Sequence, residues 1–192
     1  YLSKYPDDDE IIKKTGDIYF DLDNTDETLK YYIQYMDKTN FKDNEIILKT
    51  ARLYVRLNNF SDAKKFYKIY VDKNLNDYEV IYEYADICYS TSDYQTASFY
   101  FEMLDKLGKN PDKNKLALAY FMKTKNSQNI GELLTAYKYS VSTDNNEYKK
   151  ELLKNIITGY YKNSQFDSAV HYFKLFESFN NLNESELTDY CA

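Results

Sequence analysis

The chain has 192 residues, 43% of them hydrophobic and 29% charged, which is the composition of an ordered protein able to bury a core. Only 4 Gly and 2 Pro occur, too few turn residues for an all-β chain, so helices joined by tight turns are expected. The net charge of −6 argues against nucleic acid or an anionic membrane surface as the main partner. The longest apolar stretch, Leu116 to Met122, is too short to span a bilayer, so this segment is expected not to insert into a membrane.

In chain order, Tyr1 to Pro6 reads as the close of a helix. A first helical pair is expected over 9–43. It has Gly16 and Tyr19 on its first helix and a second helix near Thr25 to Lys38, opened by Asn24 with Glu27. A second pair covers 44–77. Ala51 and Tyr54 lie on its first helix, Asn58-Asn59 form the turn, and Phe60, Ala63 and Tyr67 lie on its second. A third covers 78–111, with Ala85 and Cys88, then Ser92 and Gln95 as a capping box before Tyr94, Ala97 and Phe101. A fourth covers 112–149 with Ala119 and Met122; Gly131 keeps the spacing on its second helix and Leu133 gives the better apolar face. A fifth covers 150–183 with Phe166, Ala169 and Phe173, after a four-residue insertion expected in Ser142 to Glu147, where Asp144 and Glu147 suggest another cap. Asn183 to Glu186 reads as a further cap, and Leu187, Tyr190 and Cys191 as the start of another first helix. Both ends therefore look cut inside repeats of a longer array.

The segments Phe60-x-x-Ala63-x-x-x-Tyr67, Tyr94-x-x-Ala97-x-x-x-Phe101 and Phe166-x-x-Ala169-x-x-x-Phe173 share one pattern. Ala63 and Ala97 are 34 residues apart, as are Ala51 and Ala85. In the first pair Leu29 stands where Ala is expected, after one extra residue. The pattern resembles the tetratricopeptide repeat. Small residues let the two helices of a hairpin cross closely, and hairpins stack because one alone cannot bury its apolar face. The resemblance implies an all-α, right-handed superhelical solenoid of antiparallel helix hairpins, about five repeats in a single array over 1–192.

No GxGxxG, P-loop, GxSxG or HExxH motif occurs, and His171, the one histidine, has no triad-like neighbours in the sequence. Cys88 and Cys191 lack metal or redox spacing, and Asp7 to Glu10 lacks the alternation of a calcium loop. Catalysis, metal and cofactors are therefore not expected. RNA binding of the pentatricopeptide kind is disfavoured by the acidic charge.

The resemblance places a peptide-binding groove on the first helix of each repeat, here Lys13, Asp17, Arg52, Arg56, Tyr82, Asp86, Tyr89, Tyr120, Lys123, Lys154 and Tyr161. Asp17 and Asp86 depart from the family's carboxylate clamp. The expected function is a non-catalytic scaffold or adaptor holding a protein or peptide partner. The alternatives are a structural subunit of a larger assembly, such as a cell-envelope or motor complex, and a substrate-recruiting module of a larger enzyme. End-to-end self-association is expected from apolar terminal surfaces. The compartment stays open between cytoplasm, the preferred one, and periplasm.

Overall fold

A computed structural model describes residues 8–179. The readings made above for Tyr1 to Pro6 and for Asn183 to Cys191 lie outside the described residues. Ten helices follow in order: α1 Asp9–Asp21, α2 Thr25–Thr39, α3 Asn44–Arg56, α4 Phe60–Lys73, α5 Tyr78–Ser90, α6 Tyr94–Lys106, α7 Lys113–Thr124, α8 Ile130–Val141, α9 Asn146–Lys162 and α10 Phe166–Phe179. No strand occurs among the described residues.

The chain forms two compact units, Tyr1–Ile87 and Cys88–Ala192. In the first, α1 packs on α2, α2 on α3 and α3 on α4. In the second, α6 packs on α7, α7 on α8, α8 on α9 and α9 on α10. The odd-numbered helices are the first, or A, helices of the hairpins, and the even-numbered ones are the B helices.

All the helices but α10 begin with a polar residue whose side chain accepts hydrogen bonds from the otherwise unpaired first-turn amides. The A helices open on Asp8, Asp43, Asp77, Asp112 and Asn145. Four residues after the four aspartates come Ile12, Ile47, Ile81 and Leu116, all fully buried, so cap and core are set by one spacing. The B helices open on Asn24, Asn59, Asp93 and Asn129, and α10 bonds back to the Gln165 carbonyl.

Four residues further on stand Thr28, Ala63, Ala97, Leu133 and Ala169, each at most 7% exposed. Ala63, Ala97 and Ala169 thus occupy the buried position their pattern implies. This register corrects the reading of the first repeat and decides between the two positions left open in the fourth. Thr28, not Leu29, is the first repeat's counterpart of Ala63, and no extra residue precedes it; its hydroxyl turns inward and donates to the Asn24 carbonyl at 2.7 Å. In the fourth repeat the position belongs to Leu133, while Gly131 is exposed. The reason is the hairpin turn, which spans 125–129 there but 22–24, 57–59, 91–93 and 163–165 in the others.

Those four short turns share one conformation. Their middle residues, Asp23, Asn58, Ser92 and Ser164, are left-handed at φ 55, 56, 61 and 58°. Ser92 is therefore the turn's apex and not a cap; Asp93 caps α6 by accepting from the Thr96 amide. The fifth repeat departs in a second way. The turn after α8 closes by 145 and α9 runs for 17 residues, so the additional residues before the fifth repeat lengthen a helix at its start. Its cap is Asn145, where Asp144 had been expected.

Close crossing is visible at Gly16 on α1. A Cβ there would lie 2.6 Å from the ring of Tyr32 on α2, and that ring is fully buried. The many tyrosines fill this interior by stacking: Tyr19 on Tyr31 at 5.6 Å, Tyr67 on Tyr84 at 6.2 Å, Tyr120 on Tyr139 at 5.0 Å and Tyr160 on Tyr172 at 5.5 Å.

Candidate functional site

In the first unit the A-helix cations are already engaged. Lys13 Nζ lies 2.6 Å from Asp43 Oδ2 and sits over the Tyr35 ring. The hydrogen bond to Asp43 is the main cause of the raised Lys13 pKa. Burial alone would raise the Asp43 pKa, but the bond from Lys13 and the amides of Ile46 and Glu45 outweigh it, and the carboxyl is held below its usual value. Asp17 accepts from the Tyr32 hydroxyl at 2.7 Å and lies 3.9 Å from Lys49. Arg52 forms a two-pronged bridge to Glu83, at 3.1 and 2.6 Å, and the Tyr67 hydroxyl donates to the same carboxylate at 2.7 Å. Arg56 bonds Asp23 at 2.8 Å and the Thr25 hydroxyl. Tyr82 and Asp86 are half-buried on α5. Four of the expected groove residues, Lys13, Asp17, Arg52 and Arg56, thus tie one hairpin to the next.

The second unit differs. Tyr89, Lys115, Leu118, Asn114, Asn145 and Tyr148 line an open cleft of about 240 Å³ on the A-helix side. Its aromatic walls are braced from behind. Tyr148 stacks on Phe121 with centroids 4.5 Å apart, and Tyr89 meets Tyr94 and Phe101 edge-on at 5.9 and 6.4 Å. Lys115 Nζ lies over the Tyr89 ring. Burial raises the Tyr89 hydroxyl pKa, so the phenol stays protonated as a donor at neutral pH. The Asn114 side-chain amide has no partner among the described residues and is exposed beside the rings.

Tyr120 does not present a surface. It is 5% exposed, its hydroxyl donates to Glu102 at 2.6 Å, and burial pushes its pKa well above the usual phenol value. Counting from Asp112 explains this. Tyr120 takes the place of Gly16, Ala51 and Ala85, eight residues after the cap, so it faces the hairpin partner. The 34-residue spacing had given that place to Ala119, and a slip of one residue turns a helix face by about 100°. Lys123 lies over the Tyr120 ring, and Lys154 over that of Phe176. Tyr161 is 66% exposed and meets Phe166 edge-on.

Sequence reasoning missed Asn114, Lys115, Leu118 and Tyr148. Tyr148 lies outside a fifth repeat that begins at 150; the signal that finds it is Asn145 as the cap of α9. His171 is exposed against Tyr172, Cys88 is buried in the core, and no metal-competent cluster occurs among the described residues. No described helix is long and apolar enough to cross a membrane.

The fold defined by these paired helices is of the tetratricopeptide type. A crystal structure of a tetratricopeptide repeat protein from Bacteroides fragilis superposes with a TM-score of 0.52 at 16% identity, covering 90% of this chain and 88% of that one. A tetratricopeptide repeat protein from Parabacteroides merdae gives 0.49 at 15% identity, over 98% and 86%. The protein MamA gives 0.48 at 19%, over 89% and 91%. Comparison with protein-family profiles and with curated protein sequences returns no match.

Proposed function

We propose that this chain is a non-catalytic binding module that holds a peptide segment of another protein in the cleft of Tyr89 and Tyr148. The observation that carries this reading is the pair of braced aromatic walls with the unpaired amide of Asn114 beside them. Braced rings offer contact area with little further loss of freedom on binding. An exposed amide can pair with both the N–H and the C=O of an extended backbone. The A-helix residues of the first unit are a less open surface, because a ligand there must displace bridges such as Arg52–Glu83. A second reading, contact through a hairpin edge in a larger assembly, is favoured by Tyr161, Phe166 and Val170, each more than half exposed.

The test is selection of peptides from a random displayed library, followed by affinity measurement on variants. Tyr148→Ala and Asn114→Ala should each weaken the selected peptides by about tenfold, a loss typical of interface anchors. Lys174→Ala, on the exposed side of α10, should change nothing. Peptides that bind all four proteins equally would remove this cleft from consideration.

A further inference from the structure

The five-residue turn that sets the fourth hairpin apart, 125–129, forms one wall of a second, separate cleft. Its shape is held from within: the Ser127 hydroxyl donates to Glu132 at 2.8 Å and accepts from the Asn129 amide at 3.1 Å. The opposite wall is the C-terminal half of α9. There Gly159 lets α8 approach, since a Cβ would stand 2.9 Å from Cγ1 of Ile130. The space enclosed is about 270 Å³ and is lined by Lys125, Gln128, Asn155, Thr158, Lys162 and Asn163 among others.

The chemistry of this lining is one-sided. It holds two ammonium groups and several side-chain amides, and no carboxylate, in a chain whose acids outnumber its Lys and Arg by 31 to 25. Lys13, Lys49, Lys68, Lys106 and Lys113 each have a carboxylate at hand, but Lys125 and Lys162 form no ion pair among the described residues. Both stand at helix C-termini, Lys125 after α7 and Lys162 at the end of α9, where the carbonyl ends favour a cation.

We infer that this cleft takes the carboxylate side chains of an acidic peptide segment. Ammonium groups supply charge-assisted bonds, and the amides of Asn155 and Asn163 supply further donors at the walls. The site is independent of the aromatic cleft.

The probe is acetylated, amidated hexaglutamate, titrated into the isotope-labelled 192-residue chain at about 150 mM salt, where long-range attraction is screened. Amidated hexaglutamine is the blank, and hexaglutamine with a free C-terminal carboxylate tests the chain-end source of the same chemistry. Hexaglutamate should shift the amide resonances of Asn155, Gly159 and Asn163, and the blank should not. Lys125→Gln combined with Lys162→Gln should weaken binding by about tenfold or more, the loss expected when charged donors go, with unchanged helicity. Lys174→Gln should bind as wild type, and so should Tyr148→Ala, which separates this test from that of the aromatic cleft. No shifts, equal binding by the double variant, an equal loss in Lys174→Gln, or binding of the free chain end alone would each overturn the proposal.

Discussion

Thr50, on α3, is fully buried and its hydroxyl finds no hydrogen-bond partner among the described residues, although that of Thr28, equally buried on α2, donates to the Asn24 carbonyl at 2.7 Å. A buried hydroxyl without a partner costs about 1–3 kcal/mol of desolvation. Thr50→Val keeps the shape and removes the oxygen, so it should raise unfolding stability by about 1 kcal/mol, read as a higher denaturant midpoint. Gly16 is the opposite case. Its missing Cβ is where the Tyr32 ring lies, so Gly16→Ala should lower stability by about 1–3 kcal/mol despite the gain in helix propensity. Equal thermal melts for Gly16→Ala and wild type would show that α1 and α2 do not cross there.

At the scale of the helix and its turn, one residue in four short turns must be left-handed, and none of those residues is glycine. Asp and Asn tolerate this conformation better than Ser because their side chains bond locally. Ser92→Gly and Ser164→Gly should therefore each stabilise the chain by a few tenths to about 1 kcal/mol. Asn58→Gly should gain less. If chemical denaturation ranks Asn58→Gly above both serine changes, the shared turn conformation is wrong. The element scale also explains the repeat's irregular length. A longer turn before α8 moved the contact position to Leu133, and about one additional turn of α9 absorbed what looked like an inserted loop.

For the whole molecule, stability should depend on pH at both ends. Asp43 and Glu102 have lowered folded-state pKa values. In Glu102 burial pulls the other way but is outweighed by bonds from Tyr120 and Lys106. A lowered value means that the unfolded chain takes up the proton first. Their stabilisation is complete above the ordinary carboxylate range, about pH 4, and is lost as pH falls through the folded values. Asp43→Asn keeps a capping residue but loses the bridge to Lys13, so its stability should fall less steeply below about pH 4 than that of wild type. Tyrosines act at the other end. Burial raises Tyr70 and Tyr139 to about 12, with Tyr70 further raised by its bond to Asp77. Their contribution is intact below the unfolded value of about 10 and disappears as pH rises towards 12. Tyrosinate absorbance should therefore rise in two stages, exposed phenols first and the buried set together with loss of helicity. A single stage near pH 10 with helicity retained would count against the buried hydroxyl pairs.

Read alone, the sequence determined the all-helical hairpin class and the buried alanines. Both rest on local physics: a polar cap, an apolar residue four later, and a small residue where two helices cross, repeated often enough to show a period. Arg52 and Tyr89 were named through the resemblance to the tetratricopeptide repeat, yet the sequence could not tell that Arg52 is held by Glu83 while Tyr89 stands beside an open cleft, because which carboxylate reaches which cation depends on residues some thirty positions away. It turned Tyr120 outward because a fixed period of 34 cannot register one residue gained before α7. That Lys125 and Lys162 line one cleft, and Tyr89 and Tyr148 another, is decided only once the hairpins pack, since no local pattern joins side chains from different turns of the chain.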